Sequence, residues 1–165
     1  MDTQQIVVGV DDTASAAAAL RWAADFARLT GGSLRVVHTW ELPPGQAMAA
    51  ATGLYARTAT SDARARATRL VSDALGADAE RTRWVLEVRQ GRPGHVLADL
   101  SREAALLVVG TGDHVGLRRV LLGSVSHYCL SHAACPVVAV PAAGRAADLD
   151  RPADTRVGAG TDIPG

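Results

Sequence analysis

The sequence predicts a doubly wound α/β domain: a five-stranded parallel sheet with helices on both faces. Three observations predict it. Short apolar runs rich in β-branched residues recur along the chain, longer alanine-rich stretches of helical period separate them, and no two such runs are adjacent. Crossovers of that kind give parallel strands covered on both sides. The composition agrees, with 48% hydrophobic residues but only 4% aromatic, as alanine-faced helices on valine-rich strands would give. A chain of 165 residues fits one domain and can bury a sizeable core.

Each element has its own signal. QIVVGV, from 5 to 10, is a short β-branched run that reads as a strand buried on both faces. Asp11, Asp12 and Thr13 are placed to cap the helix that follows. There Ala16, Leu20, Ala23 and Ala27 recur at helical spacing, and Gly31-Gly32 ends the pattern. SLRVVHTW, 33 to 40, is the second strand; Pro43-Pro44-Gly45 breaks the chain after it. An alanine- and arginine-rich stretch from Leu54 to Leu75 predicts the second helix, stopped by Gly76.

The third strand lies in RTRWVLEVRQG, where Trp84, Leu86 and Val88 alternate with Arg83, Glu87 and Arg89. Pro93 and Gly94 mark a helix start, with Val96, Leu97 and Leu100 on one face. ALLVVG is the fourth strand, SVSHYCLSHAA the last helix and CPVVAVP the fifth strand. Pro136 must sit at the start or edge of that strand. The domain is therefore expected over 1–141, with 142–165 a disordered tail lacking apolar periodicity.

Charge and cysteine usage narrow the function classes. Seventeen Lys and Arg balance 17 Asp and Glu, so no overall field favours nucleic acid or an anionic membrane. No apolar run approaches the ~20 residues that span a bilayer. The opening MDTQQIVVGVDD has neither a basic segment nor a long apolar one, which leads us to expect a cytoplasmic protein. Its two cysteines, Cys129 and Cys135, are then expected to be buried thiols. They lack CxxC spacing, and His127 and His132 point apart on a helix, so no metal set is expected.

The chemistry concentrates in GTGDHVGLRRVLLGSVS, 110 to 126. It lies between a strand and a helix, where open α/β sheets bind ligands. Gly110 and Gly112 allow close backbone approach, and Gly123-Ser124 opens a helix whose free N–H groups and dipole suit an anion. Ser124 and Ser126 would add hydroxyl donors. Asp11, at the end of the first strand, could accept from a ribose hydroxyl. Turn formation by the glycines and capping by Ser124 explain the same residues without a ligand.

Together, IVVGVDDTASAAAALRWAADFA, LRVVHTW and LLVVGTGDHVGLRRVLLGSVSHYCLSHAACPVVAVP resemble the universal stress protein family. The last segment is the most specific, because LLGSVS and CPVVAV recur in that family in this order. The resemblance implies strand order 3-2-1-4-5, a homodimer through the fifth strand and, in nucleotide-binding members, an ATP site with the pattern Gly-x2-Gly-x9-Gly-Ser/Thr.

By that resemblance Gly110 and Gly123 match the first and third glycines, and Ser124 the hydroxyl residue. Asp11 matches the ribose-contacting acid. Gly9, Val10, Thr39 and Val109 match the adenosine wall, and Val125 and Ser126 the phosphate-side helix start. Two positions depart from the pattern: Asp113 replaces the second glycine, and Asp12 a small residue. A carboxylate ~4 Å from one phosphate charge costs about 1 kcal/mol in water-like surroundings and about 4 at an effective dielectric of 20. Asp113 either opposes the phosphates, points outward, or shares a Mg2+ with them.

The expected function is adenine-nucleotide binding, with ATP the first candidate, in stress signalling. The alternative is a nucleotide-free dimeric module that acts through a partner surface. A slow ATPase ranks last, because no general base stands near Ser124 and no nucleophile–base–acid set can be identified.

Overall fold

The computed structural model describes residues 4–42, 54–112 and 123–142. Among these residues nine helices and strands follow the expected alternation: β1 (Gln5–Gly9), α1 (Ala14–Thr30), β2 (Ser33–Trp40), α2 (Leu54–Leu75), β3 (Trp84–Gln90), α3 (Pro93–Leu100), β4 (Leu106–Gly110), α4 (Ser124–His132) and β5 (Val137–Val140). Short 3-10 turns at Gly76–Ala79 and Ser101–Glu103 extend the ends of α2 and α3. The expected tail from 143 onward lies outside the described residues.

All strand pairings are parallel, in the order β3-β2-β1-β4-β5. Alternate residues of each strand feed two separate cores. Ile6, Val8, Leu34, Val36 and Val108 face α1 and α2, where Ala19, Leu20, Ala23, Ala27 and Val71 are buried. On the other face Val7, Val37, Leu107 and Val109 meet Leu97 of α3 and Cys129 of α4. Alanine at Ala19 and Ala23, both 0% exposed, lets α1 lie close against the strands.

The ends of α1 follow from local chemistry. Thr13, not Asp11 or Asp12, caps it: the Thr13 hydroxyl accepts from Ala16 N at 3.1 Å. Gly31 stops it at φ 71°, a left-handed value that favours glycine. Asp12 instead pairs with Arg66 of α2 at 3.2 Å, while Arg64 and Arg69 are exposed.

One expectation about packing needs correction. Cys129 is buried, and desolvation pushes its thiol up to about 11, but Cys135 is only half-buried because it precedes the edge strand. Trp84 packs against the core, its indole N–H donating to Ala79 O at 3.1 Å. Trp22 does not; it lies on the outer side of α1, stacked on Phe26.

Candidate nucleotide site

β1 lies between β2 and β4, and the connection out of β1 runs toward β2 while the one out of β4 runs away toward β5, which opens a crevice at the carboxyl ends of β1 and β4. A cavity of about 410 Å³ occupies that crevice. Its walls are the strand ends Gly9, Val10, Val37, Thr39, Val109 and Gly110, and its rim carries Asp11, Thr13, Gly112 and the start of α4 from Gly123 to Ser126. Of the residues expected at the site, Gly9, Val10, Asp11, Thr39, Val109, Gly110, Gly112, Gly123, Ser124, Val125 and Ser126 all line this one cavity. Asp113 lies outside the described residues.

Glycine is required at two of these positions, Gly110 and Gly112. A Cβ on Gly110 would stand 2.7 Å from Ala16 N and from the Ser15 backbone, so β4 touches the first turn of α1 there. Gly112 has φ 84°, a turn other residues enter only with strain. Its N–H donates to Ser15 Oγ at 3.0 Å, which ties the loop to α1. Thr111 N–H donates to Val140 O at 3.0 Å, and Gly123 N–H donates to Thr111 O at 2.7 Å. The loop's two ends are thus fastened to each other, to β5 and to α1.

This arrangement changes the roles expected of the serines. Gly123, not Ser124, is the cap residue of α4, and no side chain caps the helix. Ser124 is the first helical residue, and its hydroxyl is exposed at the cavity. The Ser126 hydroxyl is buried and donates to Gly123 O at 2.9 Å, so its proton is spent on the backbone. Asp11 Oδ1 accepts from Thr13 N–H at 3.0 Å and from the Thr13 hydroxyl; this orients the carboxylate and leaves Oδ2 for another donor.

Sequence reasoning missed Thr13, Ala16, Val37, Pro93 and Leu97 as lining residues. Pro93 and Leu97 reach the site because α3 packs over β1 and β2. A strand-end rule names strand residues and not the crossover helix above them. Leu97 sets the depth of the floor: its Cδ1 is 2.7 Å from where a Cβ on Gly9 would stand.

The donor set suits a nucleotide. Gly9, Gly110 and Gly123 present bare backbone, Val37, Val109, Pro93 and Leu97 supply apolar wall, Asp11 a carboxylate acceptor, and the α4 start N–H groups and one hydroxyl. For Mg2+, the lining offers one carboxylate among the described residues, Asp11.

The sequence profile of the universal stress protein family matches residues 3–141. A universal stress protein of Mycolicibacterium smegmatis is 36% identical over 153 residues, which is 88% of this chain and 51% of that protein. The chain thus spans about half the length of the curated relatives it matches. Among solved structures, a universal stress protein of Archaeoglobus fulgidus in complex with dAMP is similar at 27% identity and a TM-score of 0.56, with 85% of this chain and 99% of that one covered. Another, a universal stress protein in complex with cAMP, has 26% identity and a TM-score of 0.52 over 84% and 97%.

Proposed function

The chain belongs to the universal stress protein family, and from that premise we propose that its cavity binds an adenine nucleotide, ATP being the first candidate, and that the bound state serves stress signalling. One observation carries the reading. Eleven expected residues from three strand ends and one helix start line a single cavity. In this assignment Asp11 Oδ2 accepts from the ribose, Val37, Thr39 and Val109 flank the adenosine, and the N–H groups from Ser124 onward face the phosphates beside the Ser124 hydroxyl. Complexes of two similar proteins with cAMP and dAMP support the ligand class.

A homodimer through β5 belongs to the same proposal. β5 is an edge strand with four half-buried apolar residues, and an open apolar edge invites pairing. The rival reading, a nucleotide-free dimeric module, keeps this surface and gives the cavity no ligand.

Calorimetric titration with ATP, with and without Mg2+, separates the two. Ser124→Ala should weaken ATP by about 0.5–2 kcal/mol through one lost donor. Asp113→Gly should tighten it by about tenfold or more, and adenosine less, if that carboxylate faces the phosphates. Wild type and both variants all ignoring millimolar ATP would leave the rival reading standing.

A further inference from the structure

Asp11 and the start of α4 both stand on the cavity rim, and an unbroken line of hydrogen bonds joins them through the beginning of α1. The Thr13 hydroxyl donates to Asp11 Oδ1 at 2.5 Å. Thr13 Oγ1 lies 3.2 Å from Ser15 Oγ, and Ser15 Oγ accepts from Gly112 N–H at 3.0 Å. Gly112 N–H belongs to the peptide whose carbonyl is Thr111 O. That carbonyl accepts from the N–H of Gly123, the cap residue of α4, at 2.7 Å.

Chemistry fixes the direction of this line. A backbone N–H can only donate, and an ionised carboxylate can only accept. Thr13 spends its one hydroxyl proton on Asp11, so the proton between the two hydroxyls comes from Ser15. Ser15 thus accepts from the glycine loop and donates toward Asp11. The Thr111–Gly112 peptide carries the line onward. It is trans, so its N–H and C=O point in opposite directions. Turning Gly112 N–H toward Ser15 therefore turns Thr111 O toward Gly123, and rotating that peptide would break both bonds at once. Each bond in such a line also polarises its neighbours.

We infer that Ser15 is a positioning residue that couples the carboxylate of Asp11 to the start of α4. Ser15 is 0% exposed and does not line the cavity, so it acts on a ligand only through its neighbours. Its Oγ is pressed against β4, 2.7 Å from where a Cβ on Gly110 would stand. The inference rests on the nucleotide reading proposed above and narrows its ligand class. A ribose hydroxyl on Asp11 and a phosphate at the α4 start each steady one end of the same line, so the second contact orders less than the first had to. The site then favours ligands that carry both a free ribose hydroxyl and a phosphate, beyond the sum of two independent contacts. Asp12, the next residue, has no place in the line; its carboxylate pairs with Arg66 at 3.2 Å.

Two measurements on the full chain test this. Calorimetric titration with ATP, 2′,3′-dideoxy-ATP, adenosine and 2′,3′-dideoxyadenosine gives the affinity lost with the ribose hydroxyls, with and without phosphates. In wild type that loss should be about fivefold or more greater when the phosphates are present. In Ser15→Ala, which removes only a hydroxyl, the two losses should agree within about twofold. Equal losses in wild type overturn the coupling, as does a Ser15→Ala variant that keeps the wild-type difference or weakens ATP and adenosine by one common factor. The second measurement, amide hydrogen exchange, needs no ligand. Asp11→Ala should speed exchange at Gly112 and Gly123 by about threefold or more, whereas Asp12→Ala, which removes the same charge, should leave both unchanged. Unaltered exchange in Asp11→Ala overturns the line even if ATP binds. Altered exchange in a protein that ignores millimolar ATP upholds the line and removes the nucleotide reading instead.

Discussion

Gly110 is where the site depends most on a single atom. Its missing Cβ would meet backbone, Ala16 N and Ser15 C both at 2.7 Å, and backbone cannot step aside. Gly9 is as tight, yet its neighbour is the Leu97 side-chain end, which can rotate. Gly110→Ala should therefore cost about 1–3 kcal/mol and lower the melting temperature by about 2–4 °C per kcal/mol. Gly9→Ala should cost distinctly less. Equal losses in thermal melts would mean that α1 yields as readily as Leu97, and that the loop is not held against it. The serines show the limit of spacing at this scale. Ser124 and Ser126 look alike in sequence, but a half-turn of helix sends one hydroxyl to the cavity and the other back to Gly123 O.

Between elements, the junction of β2 with the edge strand β3 carries a charge network. Arg35 Nε and Arg89 Nε donate to the two oxygens of Glu87, and Arg35 also lies 3.6 Å from Glu103. Burial alone would raise the Glu87 carboxyl, but the hydrogen bonds and charges of Arg35 and Arg89 outweigh it and hold the group below its ordinary value. A carboxylate lowered on folding stabilises the fold above its unfolded pKa and loses that contribution as pH falls through its folded one. Glu87→Gln should thus cost about 1 kcal/mol at pH 7, and the gap should close below about pH 4. A gap that persists at pH 3 in urea melts would assign the loss to packing.

The elements themselves were legible from periodicity. Leu54–Leu75 and Ser33–Trp40 stand at the expected limits, because alanine-rich helical spacing and an uninterrupted β-branched run leave few alternatives. The Glu87 network was not legible, since it depends on the register of Val37 opposite Glu87, which no local pattern encodes. Pro93 and Leu97 were missed at the site for a similar reason: their place there is set by where a crossover helix lands.

For the molecule as a whole, the ligand crevice and the β5 edge are joined by one hydrogen-bond path. Val140 O holds Thr111 N–H, and Thr111 O holds the N–H of Gly123, the cap residue of α4. The parallel order β3-β2-β1-β4-β5 puts the crevice beside β1 and the open apolar edge two strands away. The proposed nucleotide site and the proposed pairing edge thus lie on separate surfaces, both hydrogen-bonded to Thr111. The most direct test of the central claim is an amide-resolved NMR titration of the full chain with ATP. Shifts should gather at Gly110, Gly112, Gly123, Ser124 and Val125, around the α4 start, and leave Thr82 and Arg83 at the opposite end of the sheet unmoved. No shifts at millimolar ATP, or shifts centred on Thr82 and Arg83, would contradict the assignment of this cavity.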